Sequence, residues 1–224
     1  MTELTLDQHG ATHHRGAASS MLSALEHALA ACPPDRAGIR LHGRPDLAAL
    51  LAPDTAVGAL AADHLGPAAC PVRAILFDKT PATGWSLGWH QDRTVAVRAR
   101  HPVDGYGPWS TKAGILHVEP PFAVIEAMLT LRIHLDPVPH DNAPLLIAPG
   151  SHRLGRIAEP DIAATVARCG TTACLADRGD VWRYATPILH ASAAAHPRHP
   201  HRRVLQVDYA ASLLPDPLAW LGVG

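Results

Sequence analysis

From Pro71 onward the chain is a series of short runs of β-branched and apolar residues, each cut off within a few positions by Gly, Pro, Asn or Asp. The runs fall at about 72–77, 94–98, 128–135, 145–148, 172–175, 181–184 and 204–209. Such runs suit strands of a packed sheet, and only one helical segment, near 160–168 and stopped by Gly170, interrupts them. A βαβ sheet needs a crossover helix after each strand, so this pattern points to an antiparallel architecture. The expected fold class is mainly β with N-terminal helices, a double-stranded β-helix of the jelly-roll, cupin-like kind.

The part before Pro71 reads differently. Residues 1–18 are small and polar and are expected to be loose. A helical N-terminal part of about 19–66 follows. Its first helix is either capped through the Ser23–Glu26 spacing or started by Ser19 or Ser20, and Pro33-Pro34 stop it. Shorter helices are expected at about 45–51 and 54–65, the latter closed by Gly66-Pro67. The expectation is one domain over 1–224, with a jelly-roll core at about 71–210.

Bulk properties exclude several functions. A formal charge of −1 leaves no basic excess to neutralise phosphates or anionic lipid, so neither a nucleic acid nor a membrane is the expected partner. No apolar leader opens the chain and no stretch approaches the roughly 20 apolar residues of a membrane span. The four cysteines lack CxxC spacing and are expected to be reduced thiols, in a soluble cytoplasmic protein.

The chemistry is concentrated around Trp89-His90-Gln91-Asp92. On an extended backbone, residues two apart share a face, so His90 and Asp92 can grip one ion together. His190, at the end of the run 184–190, is the candidate third ligand. Two histidines and one carboxylate leave three positions of an octahedral ion open, the arrangement of non-haem Fe(II) oxygenases. Sixteen histidines make chance patterns common, and a second HxD, His134-Leu135-Asp136, competes with the first. Beyond His190 come Ser192, a His/Pro-rich loop at 196–201, and Arg202-Arg203 leading into the strand at 204–209. A hairpin of this kind sets an arginine beside the metal-bearing strand. That suits a dicarboxylic co-substrate with one end on the ion and the other on a guanidinium.

Four stretches carry a resemblance to a known family: Leu76-Phe77-Asp78-Lys79 ahead of Trp89-His90-Gln91-Asp92, the segment 142–153 (NAPLLIAPGSHR), Gly179-Asp180-Val181-Trp182, and His190-Ala191-Ser192 with Arg202. In these the chain resembles the phytanoyl-CoA dioxygenase family of 2-oxoglutarate oxygenases, from about Ile75 to Tyr209. The resemblance implies a double-stranded β-helix with Fe(II) on His90, Asp92 and His190, and with 2-oxoglutarate and O2 as co-substrates. It places the 2-oxoglutarate anchor at Arg202, in preference to Arg203. The carboxylate at Asp92, where a halogenase of this type has a small residue, favours hydroxylation, and the charge of residues 93–122 points to a small polar substrate, with release of succinate and CO2; alternatives are a cupin-like metalloenzyme that does not use 2-oxoglutarate, or a non-catalytic metabolite- or iron-binding relative. Ser192, Lys79 and Gln91 are candidate helpers at the co-substrate. Residues 93–122, rich in Gly, Pro and charge, read as a lid loop whose Arg98, Arg100 and Lys112 are candidate substrate contacts. Alternation along 129–136 puts Thr130, Arg132 and His134 on one polar face, which makes Arg132 and His134 candidates as well.

Overall fold

A computed structural model describes residues 3–33, 36, 38–80, 82–83, 86–194 and 201–224. The N-terminal part contributes α1 (Leu6–His9), β1 (Ala11–His14), α2 (Leu22–Leu29), β2 (Ile39–Leu41), α3 (Pro45–Leu50) and α4 (Gly58–Leu65). The β-rich part runs β3 (Cys70–Lys79), β4 (Leu87–His90), β5 (Val95–Ala96), β6 (Trp109–Lys112), β7 (Ile115–Val118), α5 (Phe122–Glu126), β8 (Leu129–His134) and β9 (Leu145–Ile147). It ends with α6 (Ile162–Cys169), β10 (Thr172–Cys174), β11 (Val181–Ala185), β12 (His190–Ser192) and β13 (Arg202–Ala210).

Two antiparallel sheets form the jelly roll. The larger has the order β1-β11-β8-β13-β3-β2, and the smaller β10-β9-β12-β4. The expected fold class is the observed one, and the order within each sheet explains why every strand in it is short or strictly alternating. On β8, Leu129, Leu131 and Ile133 pack with Leu25, Leu47 and Leu51 of the helical layer, while Thr130, Arg132 and His134 turn inward. On β13, Leu205 and Val207 join that apolar layer, and Arg202, Gln206 and Asp208 point inward. β3 repeats the pattern, with Ala74 and Leu76 facing the helices and Arg73, Ile75, Phe77 and Lys79 facing the interior. The two-residue period thus divides each central strand into an apolar face that docks the helices and a charged face that lines the barrel.

Helix α2 buries Leu22, Leu25, Ala28 and Leu29, the spacing of one apolar stripe. α4 and α6 stop at Gly66 (φ 87°) and Gly170 (φ 76°), where a glycine accepts positive φ without a Cβ clash.

Three expectations need correction. The expectation that 1–18 is loose fails over its described part, residues 3–18: β1 pairs with β11 from Ala11↔Tyr184 to His14↔Val181, and Asp180 accepts a hydrogen bond from Gly16 N (2.8 Å) and pairs with His13 (2.8 Å). An edge strand of four mostly polar residues carries too little apolar signal to be seen in sequence. The Ser23–Glu26 cap does not form; a 3₁₀ turn (Ser19–Met21) leads into α2, and Glu26 instead pairs with Arg178 (2.7 Å) and Arg203 (3.1 Å). Residues 93–122 are not a plain lid loop. They build a third sheet, β5-β7-β6, with its own apolar cluster of Val95, Val97 and Val118 against Ile125, Met128 and Leu214. Trp85 and residues 195–200 of the His/Pro-rich loop lie outside the described residues.

Leu131 is fully buried where β8 meets the helices, and Leu213 is 89% exposed. Leu131→Ala is expected to cost about 2–5 kcal/mol in chemical unfolding, whereas Leu213→Ala stays within about 0.5 kcal/mol. Equal costs would contradict the placement of the main core between sheet and helices.

Candidate metal centre and its cationic pocket

The sheet register, not sequence proximity, assembles the site. β12 lies between β9 and β4, with His190 directly opposite His90, and the two imidazoles stand 4.2 Å apart between centroids. Asp92 follows two residues after His90, on the same face. Donor atoms of His90, Asp92 and His190 all lie within 4.8 Å of one another, a group able to hold a metal ion. Both rings are oriented alike: Nδ1–H of His90 donates to the Gly88 carbonyl (2.8 Å) and that of His190 to the Ile188 carbonyl (3.0 Å). That leaves each Nε2 as a free lone pair, the tautomer a metal requires. Burial, reinforced by the neighbouring His90, holds His190 down to about 4, so its ring is neutral at physiological pH.

The loop after β9 fixes the position of His190. Gly150 takes φ 83° and turns the chain so that Ser151 Oγ accepts from Leu189 N (2.9 Å), while Ala148 N donates to the Leu189 carbonyl (2.9 Å). The motif 149–152 therefore clamps the residue immediately before the ligand.

Arg73, which no motif in the sequence marks, underlies the carboxylate of the triad. Its Nη2 donates to Asp92 (3.0 Å) and its Nε to Asp208, whose other oxygen accepts from Thr130 Oγ1 (3.0 Å). Burial would raise Asp92, but Arg73, then His190, His90 and Lys112, bring it to about 2. Burial and the charge of Asp92 push Asp208 the other way, above the usual carboxylate range.

A cavity of about 360 Å³ opens from the triad, lined by His90, Asp92 and His190 together with Arg40, Arg73, Lys79, Lys112, Arg132 and Arg202. At one end Lys79 Nζ donates to Ser192 Oγ (2.8 Å) and to the Ala193 carbonyl (2.9 Å), with Arg202 opposite Lys79 in the strand register. Arg202 is 1% exposed; its Nη1 donates to the carbonyl of Ala143, itself held at φ 48° in the turn after β8. Arg132 Nη1 donates to Gln206 Oε1 (2.7 Å). The Nε atoms of Arg132 and Arg202 are buried without a hydrogen-bond partner among the described residues. Burial and the two arginines hold Lys79 down to about 7, and burial with Arg132 lowers Arg202 to about 9. These groups have the donor set and charge of a carboxylate cradle.

Of the residues singled out in sequence, the structure brings His90, Asp92, His190, Lys79, Ser192, Arg202, Arg132 and Lys112 to one cavity. Four do not reach it. Gln91 points to the opposite face, as its odd position between the ligands dictates, and ties Gly155, Pro187 and Ile157 together (2.7–3.0 Å). Arg98 and Arg100 are exposed, because the chain after β5 pairs with the C-terminal segment through Val97↔Trp220 and turns them to solvent; Arg100 stacks over Trp109 at 5.4 Å. His134 is 2% exposed and buried near Arg132 and Arg202, outside the cavity wall. The rival HxD is not a metal group: Asp136 accepts three hydrogen bonds from Arg203 (2.7–3.0 Å), which also removes Arg203 from the co-substrate question. Arg40, on β2, was missed along with Arg73.

Comparison with known proteins agrees with this geometry. The chain matches the family described as Phytanoyl-CoA dioxygenase (PhyH) over residues 38–203, and it belongs to that family. No curated protein matches it. Among solved structures, EctD from S. alaskensis with 2-oxoglutarate and 5-hydroxyectoine superposes with TM-score 0.63 at 19% identity, covering 92% of this chain and 73% of that one. The epimerase SnoN from nogalamycin biosynthesis gives 0.61 at 15%, with 98% and 83% covered. HygX from Streptomyces hygroscopicus, with nickel and 2-oxoglutarate bound, gives 0.60 at 14%, with 92% and 84% covered. At these identities the likeness is one of fold.

Removing Arg73 leaves two carboxylates in the sheet without their shared cation. Arg73→Met is expected to destabilise the metal-free protein by about 3–5 kcal/mol, and adding Asp208→Leu to recover a large part of that loss. A single variant as stable as wild type would mean that Arg73 is not what keeps the ligand carboxylate in place.

Proposed function

We propose that the protein is an Fe(II)- and 2-oxoglutarate-dependent dioxygenase that hydroxylates a small molecule with release of succinate and CO2. The observation that carries this reading is one cavity holding two kinds of site: a His-Asp-His face with free Nε2 lone pairs, and a buried cradle at Arg202 and Lys79 with unpartnered guanidinium nitrogen. The donor set fits a divalent iron, and the cradle fits the far carboxylate of a dicarboxylic keto acid. Membership of the PhyH family supports the same chemistry.

Iron chelated by 2-oxoglutarate supplies an O2-dependent oxidation of a C–H bond, coupled to loss of CO2 from the co-substrate. The chain does the rest. His90, Asp92 and His190 would hold the ion, with the Gly88 and Ile188 carbonyls fixing each ring and Arg73 fixing the carboxylate. Arg202, Lys79 and Ser192 would anchor the co-substrate and set its direction. Because Asp92 fills the third ligand position, no place on the triad is left for a halide, and hydroxylation is the expected outcome.

Anaerobic titration of the metal-free protein with Fe(II) and 2-oxoglutarate tests the reading through the weak visible charge-transfer band of the chelate. The band is expected in wild type and His134→Ala and absent in His90→Ala. Metal binding in wild type without that band would favour a metalloenzyme that does not use 2-oxoglutarate.

Lys79 gives a pH test. Burial, Arg202 and Arg132 hold its ammonium down to about 7. An incoming carboxylate favours the charged form, so binding takes up as much as about one proton on the alkaline side of 7, and affinity falls as pH rises through it. Calorimetry in two buffers of different ionisation enthalpy should show this uptake, and Lys79→Met should abolish it. Equal heats in both buffers for wild type would remove Lys79 from the co-substrate site.

A further inference from the structure

The cavity holds more positive charge than the proposed reaction uses. Six basic side chains line it, Lys79 among them held down to about 7, against the carboxylate of Asp92 and, behind Arg73, that of Asp208. A divalent metal adds two positive charges and dianionic 2-oxoglutarate offsets only those two, so the excess remains. Nor can the co-substrate cover the whole wall. It would spend one end on the metal and the other on Arg202 and Lys79, while Arg73 and Lys79 sit six residues apart on β3, about 20 Å along the strand.

The uncompensated charge is localised. Arg73 is neutralised by Asp92 and Asp208. Arg40, opposite Ile75 on the neighbouring strand, lines the cavity near Arg73 and Asp92. Its Nε is buried without a hydrogen-bond partner, and its guanidinium makes no ion pair, among the described residues. Lys112 reaches the same wall from β6, close enough to Arg40 to feel its charge, and its Nζ is held by a neutral partner, Thr94 Oγ1 (2.8 Å). Neither forms an ion pair among the described residues; each feels only the more distant charge of Asp92, which Arg73 already engages, and two partly buried cations so placed are costly unless a ligand brings an anion. Along β3, Ile75 and Phe77 lie between this pair and Lys79, with Gln206 opposite Ile75 and Arg132 over the Phe77 ring.

We propose that Arg40 and Lys112 form the subsite for a carboxylate of the substrate, so that the molecule oxidised is a small organic anion whose apolar carbon body lies along Ile75 and Phe77 beside the metal. The inference rests on the oxygenase reading above and names the substrate class for that site. The subsite orients the substrate from the Asp92 side, whereas the co-substrate is held from the Ser192 side.

The test uses the full-length protein loaded with Mn(II), a redox-silent stand-in, and saturating 2-oxoglutarate. Carboxylate-labelled [¹³C]butyrate is the probe, its relaxation by Mn(II) is followed, and butyramide serves as the uncharged control. Saturable relaxation is expected for butyrate alone, undiminished by more 2-oxoglutarate. Loss of one charge-assisted contact should weaken binding about tenfold in Arg40→Gln and in Lys112→Gln, each confirmed folded by circular dichroism. Arg100→Gln, an exposed arginine outside the cavity, should bind as wild type does. Butyramide binding as well as butyrate, butyrate displaced by 2-oxoglutarate, unchanged affinity in both variants, or no saturable effect would each overturn the subsite. Failure of Mn(II) and 2-oxoglutarate to bind at all would show before butyrate is added, and would instead count against the oxygenase reading.

Discussion

The guanidinium of Arg73 between Asp92 and Asp208 is the interaction on which the interior of this barrel depends. Strand alternation gives the helical layer an apolar face to dock against, and the same alternation turns arginines, a lysine and carboxylates into the barrel. Charges so placed lose hydration and must find partners or shift their protonation. Arg73 ties three of them into one unit, and Thr130 extends it by hydrogen-bonding Asp208 and Thr186 (3.0 Å each). The carboxylate of the triad therefore enters the site already charged and already directed.

The two ends of the cavity divide the work. On the Ser192 side, Lys79, Arg132 and Arg202 are packed together so closely that burial and mutual repulsion depress Lys79 and Arg202. Buried cations packed so closely suit an anionic ligand. On the Asp92 side, Arg40 and Lys112 make a second concentration of charge, separated from Lys79 along β3 by Ile75 and Phe77. His90, Asp92 and His190 line the same cavity as both groups.

Much of this was legible in sequence because it follows from local periodicity. The two-residue spacing of His90 and Asp92, the polar face of 130, 132 and 134, and the glycines that stop α4 and α6 need no knowledge of partners. The same period also implied that Gln91 faces away, where it bonds Gly155, Pro187 and Ile157. What could not be read depends on distant pairing. Arg73 gains its meaning from Asp208, 135 residues on, and Asp136 leaves contention only because Arg203 lies opposite. β1, and the strands of residues 93–122, two to four residues long, are held by neighbours and by an apolar cluster that no window along the chain contains.

The most direct test of the central claim is a crystal structure grown anaerobically with Fe(II) and 2-oxoglutarate, with the metal located by anomalous scattering. The account predicts iron on His90, Asp92 and His190, and the far carboxylate of 2-oxoglutarate on Arg202 and Lys79, with Arg40 and Lys112 left facing open cavity. Iron elsewhere, or 2-oxoglutarate reaching towards Arg40 and Lys112 with Arg202 unengaged, would contradict it.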